Sequence, residues 1–424
     1  MYSTESNLKQ DTRKPRSGGW KLLLAALPIM VIGLTGCDRL LEVSVPGAAE
    51  DSELDNPALS RSMVVGALGE FECAWVNYSL TNAILTEEFR SANGWRATNI
   101  WNSRLASVNE TVGLCSNNRN QDSFGYYAPA QTARFMARDG YDRISGFDPA
   151  DVPNYEQSLA KLKAYEGYAL TLLGEGYCEM AVDGGPLMSR QDVFAMAEQR
   201  FTEAMPHAQA SGDETILHMA NVGRARARLN QGDLGGAASD AEAVPQGFVR
   251  WAHYTSNQPR RENRIYNQTY FNDRLTVGTE YEWVELNGDQ DPRVPVLDTE
   301  TTGEDGATHY FLQEKVTSPT QDMPIASWIE AQLIIAEARG GGEAVAAINR
   351  IRDYQDLPAY TGDGSLEDVI EERRRQFFLE GHRLNDMLRH NIPFPTGVTN
   401  RGDPYGPVTC IPLPEQERLN NPNI

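Results

Sequence analysis

The sequence predicts a mainly α-helical protein built from helix pairs, with a long irregular insertion of loops and short strands. Three observations predict it. Alanine and leucine recur at helical spacing through residues 155–245 and 327–390. Glycine-rich turns, Gly232-Asp233 and Gly340-Gly341-Gly342, interrupt those runs. Between the two regions, residues 246–325 replace the pattern with aromatics, prolines and glycines.

The first element in chain order is a leader. Arg13, Lys14, Arg16 and Lys21 precede an apolar run from Leu22 to Leu34, which ends in Leu34-Thr35-Gly36-Cys37. A basic region, a short apolar core and a small-residue exit make a secretory signal. A cysteine directly after the small residue is the acceptor pattern of a bacterial lipoprotein. The run is shorter than the roughly 20 residues a membrane span needs, and Pro28 interrupts it. The expected organisation is a signal peptide over 1–36 and a lipidated tether over 37–56, followed by a single domain over 57–424. Two or more acyl chains on Cys37 would anchor the chain stably to a membrane.

Cleavage would remove five basic and two acidic residues and take the formal charge from −21 to −24. So acidic a body argues against nucleic acid and anionic lipid as partners. Four cysteines remain after Cys37 is used for lipid: Cys73, Cys115, Cys178 and Cys410. An even set in an exported protein suggests disulfides with three possible connectivities. The favoured pairing is Cys73–Cys115 and Cys178–Cys410, because the first pair lies in one N-terminal stretch; free buried thiols are the alternative.

Helical spacing runs from Tyr155 to Met180 through Leu159, Leu162, Ala169, Leu172 and Leu173, and again from Phe194 to Ala210. Next, Asn221-Val222-Gly223, Ala225, Ala227 and Leu229 lead into Gly232-Asp233-Leu234, Ala237, Ala238, Ala241 and Pro245. This layout resembles a tetratricopeptide unit of helix, turn, alanine-rich helix and terminating proline. Small residues let paired helices approach, and Gly232 suits a left-handed cap. A second such unit runs from Trp328 to Ala338, then from Ala344 to Ile351.

One further helix is expected from Leu366 to about His390, with Leu366, Val369, Ile370, Phe377, Leu384, Met387 and Leu388 on one face. Arg373 lies within that stripe. A buried arginine needs a carboxylate, and Glu330 and Glu337, seven apart on one helical face, are the expected partners in a structural ion pair.

Ligand candidates come from aromatics in polar surroundings. Sugars present apolar faces and polar rims, which suit tryptophan and tyrosine platforms flanked by amides and charges. Residues 71–104 hold Trp75, Tyr78, Phe89, Trp95, Asn99 and Trp101, with a turn at Asn93-Gly94. Trp75 and Phe89 read as core. Trp95, Asn99 and Trp101 form the first candidate site, although core and surface readings both stay open for the two tryptophans. Tyr281 and Trp283, near Asn287 and Asp289, form the second. Irregular insertions on a rigid scaffold are where binding surfaces usually sit. No catalytic residue is assigned: the six histidines show no HExxH, and there is neither a G-x-S-x-G nor a phosphate-binding glycine loop. Gly288-Asp289-Gln290-Asp291 reads as an acidic turn, with calcium ligation as the alternative; no other metal or cofactor is expected.

Several segments together resemble a known family. Leu40-Leu41-Glu42-Val43 and Pro46 follow the lipidation motif; Glu330 with Ala336-Glu337-Ala338 and Ile348-Asn349-Arg350-Ile351-Arg352 come next. Glu371-Glu372-Arg373-Arg374-Arg375-Gln376-Phe377, Glu380-Gly381-His382-Arg383 and Asp386-Met387-Leu388-Arg389 follow. Ile411-Pro412-Leu413-Pro414, Glu417 and Asn420 close the chain. In this order they resemble the SusD/RagB family of outer-membrane nutrient-binding lipoproteins. The resemblance implies a helical fold on tetratricopeptide-like pairs and a lipid-anchored protein at the cell surface. It implies capture of an oligosaccharide or peptide without chemistry, delivery to a SusC-type TonB-dependent transporter, and calcium in some members. The alternative is a tetratricopeptide-type lipoprotein scaffold for envelope assembly, which should carry more regular repeats and fewer clustered tryptophans.

Overall fold

Small residues where helices cross, and one buried set of charges, explain most of the architecture. The computed structural model describes residues 51–120 and 124–424. The predicted leader, Cys37 and most of the tether lie outside the described residues. The long helices are α1 (Ser60–Leu85), α2 (Arg96–Asn102), α3 (Tyr127–Ser145), α4 (Tyr155–Gly176), α5 (Arg190–Ser211), α6 (Glu214–Gln231), α7 (Leu234–Glu242), α8 (Trp328–Arg339), α9 (Gly341–Tyr354), α10 (Leu366–Gln376) and α11 (His382–His390). From α3 to α9, each of these helices packs against the next, including α7 on α8 across the insertion. None of the described helices is long and apolar enough to cross a membrane.

Local chemistry sets the boundaries. Ser189 and Asp192 form a reciprocal capping box at the start of α5. Asp213 caps α6 by accepting from Ile216 N–H, and Asp233 caps α7 by accepting from Gly236 N–H. Gly232 ends α6 at φ 83°, the left-handed geometry its position suggested. The phenyl ring of Phe201 sits where α4, α5 and α6 meet. A Cβ on Gly223 would come within 2.4 Å of that ring, and one on Gly167 within 2.8 Å. Glycine at both positions is therefore a packing requirement.

The helix expected over Leu366 to His390 is in fact two, α10 and α11. Leu379 (φ 61°) and Gly381 (φ 86°) turn the chain between them. Leu379 N–H donates to buried Glu88 at 2.8 Å, and Asn82 Nδ2 donates to the Gly381 carbonyl at 3.0 Å. A Cβ on residue 381 would lie 2.2 Å from the Tyr78 ring, so only glycine permits this approach. The break swings Asp386 onto Arg373, which donates to both of its oxygens at 2.9 and 2.8 Å. Arg373 lies 3.6 Å from Glu337, as expected, but its closest carboxylate is that of Asp386. Glu330 is not its partner; that side chain lies 3.5 Å from Arg226 instead.

Arg226 is the centre of a buried network. Its Nε donates to Glu175 at 2.7 Å and its Nη2 to Tyr78 Oη at 2.9 Å, while Tyr78 donates to Glu175 at 2.6 Å. Asn230 donates to Glu175 at 3.1 Å, and Asn385 donates to Asn230 at 2.8 Å. Burial alone would raise the Glu175 pKa, but Arg226, Tyr78 and Asn230 outweigh it and hold the carboxyl below its usual value. Helices α1, α4, α6, α8 and α11 thus meet at one set of charges.

The insertion consists of short antiparallel pairs. Val249–Ala252 pairs with Met323–Ser327, and Val296–Thr302 with His309–Gln313. Phe89–Ser91, from the N-terminal part, pairs with Leu275–Val277. The sequence motif on α10 ties the insertion down. Arg374 lies over the Tyr281 ring at 4.8 Å, and Arg375 donates to the Glu285 carbonyl at 2.8 Å and to Asp291 at 3.2 Å. At the far end, the disulfide Cys178–Cys410 joins the residues after α4 to the closing segment, where Ile411 N–H donates to Gly176 at 2.8 Å. A second disulfide, Cys73–Cys115, links α1 to the loop after α2.

Two stability predictions arise from these buried charges. Arg226→Ala leaves Glu175 unpaired and should cost about 3–5 kcal/mol in urea unfolding, with the double change Arg226→Met, Glu175→Met recovering part of it. A loss below about 1 kcal/mol would contradict the network's role. Glu88 titrates in the opposite sense to Glu175: burial pushes its carboxyl up to about 7, against the Leu379 N–H and the charges of Arg383 and Lys315. A folded pKa above the unfolded one favours folding at low pH. That contribution is present below about pH 4.5 and is lost as pH rises through 7. Glu88→Gln should therefore gain stability relative to the native chain between pH 5 and 8, by about 2–3 kcal/mol. An offset that does not change with pH would rule this out.

Candidate functional site

One strand pair brings two distant segments together. Ser91 sits opposite Leu275, so the residues that continue from Ser91 lie beside those that precede Leu275. Asn93 fixes that junction: its Oδ1 accepts Trp95 N–H at 2.8 Å, and its Nδ2 donates to the Arg274 carbonyl at 3.0 Å. Trp95 stands at the N-cap of α2 with about half its surface (49%) exposed. Its indole N–H donates to Glu304 at 2.9 Å. The Arg274 guanidinium lies 5.0 Å from the ring centroid and 3.4 Å from the same carboxylate. The ring is thus held by its edge and by a cation, with about half of the residue open to solvent.

Glu304 belongs to a tight turn docked on the same junction. Glu304 N–H donates to the Asp273 carbonyl at 2.9 Å and Asp305 N–H to that of Ala92 at 3.0 Å. Asp305 enters a cleft of about 530 Å³ that Arg90, Glu282, His309, Asn400 and Arg401 also line. Arg90 pairs with Glu282 at 2.5 Å, and Arg401 pairs with Asp305. Asn400 donates to the Ser91 carbonyl at 2.7 Å and accepts from Asn102 at 3.1 Å. Burial would raise the Asp305 pKa; the N–H groups of Thr308 and Ala307, the Thr308 hydroxyl and Arg401 together lower it. A general acid for glycoside cleavage needs the opposite shift. The surface offers a flat aromatic face beside fixed donors and acceptors, which is chemistry for binding polyhydroxylated ligands.

The predicted site residues divide. Asn99 lies one helical turn along α2 from Trp95; its Nδ2 reaches the Asn93 carbonyl at 3.4 Å, while its buried Oδ1 has no partner among the described residues. Trp101 is not a surface residue: it is 1% exposed and lies 6.0 Å from Phe124, because it falls on a different face of α2 from Trp95. Tyr281 is equally buried, stacked on Phe378 at 5.2 Å beneath Arg374. Trp283 is 63% exposed, and its neighbour Glu282 lines the cleft. The acidic turn is a hairpin closed by Asn287 (φ 55°) and Gly288 (φ 96°). Asp291 accepts from Arg293 and Arg375, so guanidinium groups occupy the carboxylate offered to calcium. No group of three or more His, Cys, Asp or Glu is placed to hold a metal among the described residues. Sequence reasoning missed Arg274, Glu304, Asp305, Asn400 and Arg401. They are polar loop residues far apart in the chain, and only the strand pairing reveals them.

Comparison with known proteins bears on the fold. No family model matches the chain. Among solved structures, a laminarin-binding SusD-like protein superposes with a TM-score of 0.65 over 87% of this chain and 98% of its own, at 16% identity. Surface glycan-binding protein A from Bacteroides thetaiotaomicron gives the same TM-score and coverage at 13% identity. The chain has the SusD-like fold. A sequence match points the same way: the starch-binding protein SusD of Bacteroides thetaiotaomicron is 36% identical over 119 residues. That match spans 26% of this chain and only 21% of the length of SusD. Within the SusD-like fold, the helix pairs are the scaffold, and the half-exposed Trp95 stands where the N-terminal strand Phe89–Ser91 meets the insertion.

The two tryptophans of α2 should respond differently to truncation. Trp101→Ala removes a fully buried indole and should cost about 3–5 kcal/mol in thermal or urea unfolding. Trp95→Ala removes a half-exposed one and should stay within about 1 kcal/mol of the native chain. Equal losses at the two positions would overturn the distinction between core and platform.

Proposed function

We propose that this chain is a non-catalytic, lipid-anchored glycan-binding protein of the outer membrane that passes its ligand to a SusC-type TonB-dependent transporter. The observation that carries the reading is the Trp95 platform, fixed by Glu304 and Arg274 and set beside a polar cleft. The names of its structural relatives, a laminarin-binding and a surface glycan-binding protein, support a carbohydrate over a peptide. An indole face meets the C–H face of a sugar ring, and the amides and paired charges alongside meet its hydroxyls. The role is binding without turnover. Anchoring rests on the Leu34-Thr35-Gly36-Cys37 motif, and the transporter on the family resemblance of the C-terminal segments. A scaffold for envelope assembly would have no use for a half-exposed tryptophan held so firmly.

Tagged protein purified from detergent-solubilised outer membranes tests the reading. A TonB-dependent barrel should co-purify in near-equal amount, and mass spectrometry should find the mature chain acylated at Cys37. Cys37→Ala should release the protein from the membrane fraction. Recovery with an assembly or inner-membrane partner and no barrel would replace uptake with the scaffold role.

A further inference from the structure

A second cleft, of about 520 Å³, opens between the α5–α6 pair and α11, away from Trp95. Arg190 lines it, at the first residue of α5. Its guanidinium makes only neutral contacts: Nε donates to the Gly174 carbonyl at 2.7 Å, and Nη2 to Asn385 Oδ1 at 2.7 Å and the Glu175 carbonyl at 3.5 Å. No carboxylate pairs with it among the described residues, whereas its charged neighbours are matched. Arg373 and Arg389 share Glu337 and Asp386, and Glu175 is taken by Arg226. Arg190 therefore has no carboxylate partner of its own among the described residues, and burial pulls its pKa down despite the nearby Glu175. Arg389 adds a buried Nε with no hydrogen-bond partner. The rest of the lining is mixed: Phe194, Leu229 and Leu388 give it an apolar wall, Gln191, Asn230 and Gln231 a polar one, and the Glu337 there is already paired with Arg389; Arg190 lies 5.8 Å from the Phe194 ring.

We propose that this cleft is a second binding site, for a small monocarboxylate with an apolar body. The carboxylate supplies the counter-charge that Arg190 lacks, in the planar geometry a guanidinium prefers. The body packs on Phe194, Leu229 and Leu388. The site is independent of the glycan platform and does not rest on the proposed uptake role.

Isothermal titration of the full chain with phenylacetate, and with the uncharged phenylacetamide, tests it. Phenylacetate should saturate one site, and phenylacetamide should bind about tenfold more weakly or not at all. Arg190→Gln should lose about tenfold or more in phenylacetate affinity. Because Arg190 also holds Gly174 and Asn385, Leu366→Glu provides a second test. Leu366 is half-exposed on the cleft rim at the start of α10, where a helix tolerates an acid, and the new charge should repel the ligand. Trp95→Ala should leave phenylacetate binding unchanged. No binding to the native chain, equal binding of acid and amide, or native affinity in both Arg190→Gln and Leu366→Glu would overturn the proposal.

Discussion

The ion pair between Arg226 and Glu175 is the constraint from which the rest of the structure follows. Both side chains are almost fully buried, where an unpaired charge costs several kcal/mol. The pair is tolerable only with every lone pair and N–H used, and the partners that use them come from all along the chain. Tyr78 arrives from α1, Asn230 from α6, and Asn385 from α11. His382 lies 3.4 Å from Arg226, and burial together with that cation keeps its ring neutral at physiological pH. Glu330 faces the same arginine from α8, with burial pushing its carboxyl up to about 7. Helix pairs widely separated in sequence are locked together because each supplies a group that the central charges require.

That lock extends outward to the binding surface by a short chain of contacts. Tyr78 packs against Gly381, and the turn there presents Leu379 to Glu88, just ahead of the strand Phe89–Ser91. The strand aligns Asn93 with Arg274, and Arg274 with Glu304 and Trp95. On the other side, Arg374 and Arg375 hold the 281–291 part of the insertion against α10. A rigid core thus sets the position of a tryptophan that is itself half-exposed. Such a division lets a ligand platform vary without endangering the fold.

Much of this was legible in the sequence, for identifiable reasons. Helix pairs announce themselves through alanine spacing and through Gly232, because close packing and left-handed caps demand specific residue types. Arg373 announced a buried carboxylate partner because an arginine in an apolar stripe must have one. Glu337 was legible as one such partner; the closer Asp386 was not. Periodicity continued smoothly through residues 366–390, and nothing local signalled that Gly381 faces the Tyr78 ring and breaks the helix. The site was half legible. Trp95 stood out as an aromatic in polar company, but so did Trp101, and hydrophobic pattern alone does not show which face of a seven-residue helix points inward. Arg274 and Glu304 had no sequence signal, since their role arises only from the pairing of Ser91 with Leu275.

The most direct test of this separation between core and platform is calorimetric titration of a panel of soluble glycans, laminarin and starch oligosaccharides among them, into the native chain and Trp95→Ala, with the thermal midpoint of each protein measured in parallel. The account predicts saturable binding of at least one glycan to the native chain, its loss in Trp95→Ala, and midpoints within a few degrees of each other. Glycan binding that survives unchanged in Trp95→Ala would contradict it.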